Sequence, residues 1–152
     1  MTSPLTLLAP LRPGLSAATV VATLAGLLPT IQAALTSIGT VHFARVILMD
    51  RSQANLQPDL LSILPSDNLV LGIITSFDGD FSAYTHDFVS QLSREFDTLL
   101  SLVAGGDKFI PVADHVTQFE AFLAENDASQ HIPNTYFYSA YPHTVQHILA
   151  AL

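Results

Sequence analysis

The 152-residue chain has no cysteine, no tryptophan and only five basic residues: Arg12, Arg45, Arg51, Arg94 and Lys108. The missing thiols exclude disulfides, thiolate metal centres and a cysteine nucleophile, and they leave the redox compartment open. Five scattered cations in a chain of net charge −8 cannot track a phosphate backbone, so a nucleic-acid partner is not expected. Charged residues of both signs make up only 12%, about half the ~25% usual in soluble domains. A monomer needs a charged skin, so this shortage predicts that a second copy covers part of the surface. The Walker A, GxGxxG and GxSxG patterns are absent as well, which removes the commonest nucleotide and acyl-transfer signatures. Gly105-Gly106 reads as a helix stop, not as a phosphate cradle.

What is present is architecture. The length fits one domain over 1–152, divided into an N-terminal helical segment (1–38), an α+β core (39–141) and a C-terminal helix (142–152). Residues 13–44 contain no Asp, Glu, Lys or Arg. Within them Ala17, Val21, Leu24, Leu28, Ile31, Leu35 and Ile38 recur at alternating spacings of four and three, which is one apolar stripe on a helix. Ser16 is its expected N-cap, Gly39 its stop and Pro29 its kink. Its uncharged outer face makes it a candidate for the contact between copies. A secretory signal peptide in the first ~35 residues is the rival reading. The stretch before Arg12 is too apolar for a charged n-region, so a cytoplasmic protein is expected. A membrane span is not, because Gly26, Pro29 and several threonines interrupt the run.

"TVHFARVILMD" (40–50) and "NLVLGIITSF" (68–77) read as strands, paired antiparallel across a long excursion. Asp78-Gly79-Asp80 then turns the chain: Gly79 supplies positive φ, and Asp80 or Ser82 caps a helix running from Phe81 to Val103. These two carboxylates are read as structural, since one such triplet without further spaced acids is a poor cation site. A short strand near 107–111, a helix over 112–126, an aromatic strand over 135–141 (Tyr136, Phe137, Tyr138, Tyr141) and a last short helix complete the order. Antiparallel strands with helices on one face predict an α+β fold of the ferredoxin-like type.

Arg45 is the most informative single residue. Alternation places it among Val41, Phe43, Ile47 and Met49, with His42 on the opposite face. A cation on an apolar face needs an acid, such as Asp50, Asp78 or Asp80, or an anionic ligand. The three tyrosines offer core packing or the lining of a site for an aromatic or lipophilic molecule. His143 and His147, at i and i+4, share a helix face but lack a third ligand, so no metal site is expected.

"VHFARVILMD", "GIITSFDGDFSAYTHDF" and "FYSAYP" with "TVQHI" resemble small bacterial proteins of the dimeric α/β-barrel superfamily of ferredoxin-like folds. The likeness covers about residues 40–150. It implies a homodimer and a cleft between sheet and helices. The superfamily's antibiotic-biosynthesis monooxygenases, chlorite dismutases and dye-decolourising peroxidases do not share one reaction. The expectation is therefore a dimer that binds a small organic molecule, with cofactor-free oxygenation as one activity open to it. The ligand-binding candidates are Arg45, His42, Tyr138 and His86. The alternatives are a non-catalytic homodimeric interaction module and a haem-binding protein, in which a helical histidine such as His86 would be the axial ligand.

Overall fold

A computed structural model describes residues 2–131, 138–139 and 141–152. The chain is α+β. Its main sheet has three antiparallel strands in the order β1 (Thr2–Pro10), β5 (Leu69–Asp78), β3 (Val41–Asp50). A two-stranded ribbon joins β2 (Leu15–Ser16) to β4 (Pro65–Ser66). Helix α1 (Ala17–Ile38) connects β1 to β3, and α2 (Phe81–Leu102) follows β5. Then come α3 (Val116–Asn126) and α4 (Val145–Ala150).

Local chemistry sets the element ends. The Ser16 hydroxyl accepts from the Thr19 N–H and caps α1, and Gly39, at φ 65°, ends it with its N–H on the Leu35 carbonyl. The helix runs through Pro29 as one element. Asp80 caps α2 through the Ala83 N–H, after Gly79 at φ 96°. Helix α2 departs from helical geometry once, at buried Leu92.

Alternation along the strands builds the core. Leu5, Leu7 and Ala9 of β1 lie opposite Thr75, Ile73 and Leu71 of β5 and face the helices. Val46 and Leu48 of β3 extend that face. Seven aromatic rings, Phe77, Tyr84, Phe88, Phe96, Phe119, Phe122 and Phe109, form a continuous chain through the helical layer, with neighbouring centroids 3.9–6.5 Å apart. The outward edge of β1 meets residues 127–131: the Thr6 N–H donates to Asp127, and Ser129 Oγ lies 3.2 Å from the Pro4 carbonyl.

Four expectations change. Residues 2–10 are a strand, so 1–38 is not a purely helical segment; two prolines masked β1 from a propensity reading, and pairing with β5 overrides that. Residues Gly106–Phe109 form a 3₁₀ turn, not a strand, which swings Phe109 into the core. The helix expected over 112–126 breaks at His115 into a 3₁₀ turn (Val112–Asp114) and α3. A β-bulge between Val41 and Phe43 shifts the register, so Val41 pairs with Phe77 and joins the core instead of sharing the Phe43 face. The strand expected at 135–141 falls largely outside the described residues.

Candidate functional site

The inner sheet face does not close completely against the helices. Between it and α1, α2 and α3 lies an apolar cavity of about 70 Å³. Its floor is Leu5, Leu7, Val46, Ile73 and Thr75; its roof is the α1 stripe, Leu24, Leu28, Ile31 and Leu35; its far wall is α2 with Phe119 and Leu123 of α3. Helix α1 is the thin side. Only Ala17, Val20 and Ala34 are fully buried along its length, and Leu28 is 38% exposed.

One polar pair stands in this wall. The Thr75 and Tyr84 hydroxyls lie 3.0 Å apart, and both residues are buried. Two hydroxyls that share one hydrogen bond leave one O–H hydrogen uncommitted, and no further partner for it exists among the described residues. Burial pushes the Tyr84 phenol up to about 12; the Thr75 hydrogen bond opposes this and the Asp127 charge adds to it. At neutral pH Tyr84 is therefore a donor and not a base. Among the described residues Glu95, half-buried, is the one carboxylate on the wall, and none of the five basic residues lines it.

The residues singled out from sequence lie elsewhere. Arg45 is exposed and makes no hydrogen bond or ion pair among the described residues. The expected pairing with Asp50, Asp78 or Asp80 does not form, because the side chain lies on the outer sheet face, which the chain itself leaves uncovered there. Arg45 lines an open groove of about 470 Å³ between β3 and the 51–64 loop, with Ile47, Met49 and Leu56. Leu56 sits at φ 61°, an uncommon left-handed conformation for a bulky residue. His42, at the bulge, places Nε2 2.9 Å from Asp78 Oδ1. Asp78 also accepts from the Thr2 hydroxyl and, at 2.7 Å, from the Val145 N–H of α4. Burial raises its carboxyl, but these three partners together outweigh that and hold it below the ordinary carboxylate value. His42 and Asp78 thus tie both ends of the chain to the sheet and do not reach the cavity. Asp80 and Gly79 keep their cap and turn roles. His86 is on the surface, 4.0 Å from Glu120, and Tyr138 is 85% exposed.

Thr75, Tyr84 and Asp127 were not singled out from sequence. The available signal was a polar residue at an inward position: Thr75 inside "GIITSF" and Tyr84 within the apolar stripe of α2. Among the described residues no three His, Asp or Glu side chains converge as a metal set. Comparison with family models, curated proteins and solved structures finds no match for this chain.

Proposed function

We propose that the protein binds a small, uncharged, mainly apolar organic molecule in the cavity between the sheet and α1, α2 and α3. The observation that carries this is an apolar space whose wall includes the buried Thr75–Tyr84 pair, with one hydroxyl hydrogen uncommitted among the described residues. Ligand sites are mostly apolar concavities with a few convergent polar groups. A carboxylate ligand is disfavoured, since no cation lines the wall and Glu95 would repel it. With Tyr84 held protonated, the wall supports binding better than oxygenation. The test compares 1-hexanol with hexanoate at pH 8 by thermal shift and by NMR titration of methyl groups. Hexanol should stabilise the protein and hexanoate should not. Replacing both hydroxyls, Thr75→Val with Tyr84→Phe, should weaken hexanol about five- to tenfold by removing its hydrogen-bond donor. Equal binding of both compounds would sink the reading.

The ferredoxin-like reading draws support from connectivity: two strands joined by α1 flank the antiparallel β5. The homodimer draws support from the outer sheet face. Antiparallel sheets commonly keep one solvated, polar face. Here that face carries Phe43 (52% exposed), Leu8, Ile47, Met49 and Ile74, with Arg45 as the lone charge among them. Leu61, Ile63 and Leu64 of the neighbouring loop are exposed as well. We therefore assign the contact between copies to this face, in place of the α1 surface. Sedimentation at micromolar concentration should give a dimer that Phe43→Asp dissociates; a monomeric wild type refutes it.

Helix α1 is long and apolar enough to cross a membrane by length and composition. We place the protein in the cytoplasm all the same. Cleavage near residue 35 would remove both β1, a strand of the main sheet, and the helix that roofs the cavity.

A further inference from the structure

A second apolar void, of about 20 Å³, lies beyond the first and shares Leu7, Ile73, Phe96, Leu99, Phe119 and Leu123 with it. Its remaining wall, Ala9, Leu71, Leu100 and Val103, belongs to this void alone and carries no polar side chain. The two spaces follow the strands. Thr75 stands opposite Leu5, Ile73 opposite Leu7 and Leu71 opposite Ala9. Four residues of strand separate the Thr75 level from the Leu71 level, a span of about 13 Å.

Resting on the binding reading above, we propose that the occupant is a slender alkyl chain with one uncharged oxygen at its head. The head meets the Thr75–Tyr84 pair, and the methyl end lies past Phe96 and Phe119 against Ala9. Shape decides between a chain and a ring. A dry cavity that accepts benzene measures about 150 Å³, whereas here a space of about 70 Å³ continues into one of about 20 Å³. Two narrow spaces in line fit methylenes in single file. Of the other polar side chains in the wall among the described residues, Thr85 already donates to the Phe81 carbonyl and Glu95 has no hydrogen to give, so the Thr75–Tyr84 pair, at one end of that line, sets the direction of the chain.

The experiment is a homologous series, 1-butanol to 1-decanol with cyclohexanol as the ring control, titrated by NMR into the full-length protein. Affinity should rise about three- to fourfold per added carbon and then level off once the second void is filled. Ala9→Val, which fills that void alone, should bring the plateau about two carbons earlier and leave 1-butanol and 1-pentanol unchanged. Val103→Ile encroaches on the same void and serves if the first variant does not fold. A plateau that stays in place in a folded variant overturns the threaded chain, as does cyclohexanol binding as tightly as 1-hexanol. If no alcohol binds at all, the cavity reading itself falls, and this inference with it.

Discussion

Phe119→Ala is expected to destabilise the protein by about 3–5 kcal/mol, the usual cost of removing a buried aromatic ring. Phe119 is 2% exposed and sits where two clusters meet. Its ring lies 5.2 Å from Phe96 and 6.5 Å from Phe122. Truncation loses transfer free energy and leaves a hole that α3, anchored by Leu123 as well, cannot fully collapse. Because Phe119 also lines both voids, the same change should join them. Bulky alcohols such as cyclohexanol would then restore part of the lost melting temperature. Urea unfolding with and without cyclohexanol reads both effects. A loss below about 1 kcal/mol would show that the ring is not the packing centre described above.

Asp127→Ala is expected to cost about 2–4 kcal/mol. The carboxylate is 1% exposed and pairs with no basic side chain among the described residues. Hydrogen bonds solvate it instead: the Thr6 N–H at 2.8 Å, the Ser129 N–H at 2.9 Å, the Ser129 hydroxyl at 2.8 Å and the Gln130 amide at 3.0 Å. Removing the acceptor strands the Thr6 and Ser129 N–H groups, and an unmade buried hydrogen bond costs more than a made one contributes. Asp127→Asn keeps one carbonyl for those two donors but turns an NH₂ toward the Gln130 amide. It should fall between wild type and Asp127→Ala in urea unfolding. If alanine and asparagine behave alike, the acceptor role assigned to the carboxylate is wrong.

What could be read ahead of the structure follows the range of each signal. The α1 stripe, the Ser16 and Asp80 caps, the Gly39 stop and the pairing of β3 with β5 are written in local periodicity and turn chemistry, and all of them hold. Strand β1 was not legible. Two prolines and a run of leucines carry no alternation, and its strand character comes from β5, about 70 residues away. The same limit applies to the site. Arg45 attracted attention because a charge in an apolar run is conspicuous, yet it lies on the sheet face that the chain's own helices do not cover. Thr75 and Tyr84 were inconspicuous as residue types. They matter because the strand end and the first turn of α2 bring their hydroxyls together, and spacing along the chain does not reveal that meeting.

The N–H of Thr6 points away from β5 to reach Asp127, so the even-numbered positions of β1 are the ones whose N–H groups face outward. Two of those positions are Pro4 and Pro10, which have no N–H to offer. The Pro10 carbonyl accepts from the Ala104 N–H, and Ser129 Oγ sits 3.2 Å from the Pro4 carbonyl and screens it. This edge therefore offers almost nothing to a strand from another molecule, the protection that natural sheets use against edge-to-edge aggregation. β3 contains no proline in its ten residues. Among the described residues, a chain that extends this sheet would do so along β3, where the His42 bulge, the Arg45 charge and the 51–64 loop, which already takes the Asp50 N–H at Leu56, stand in its way.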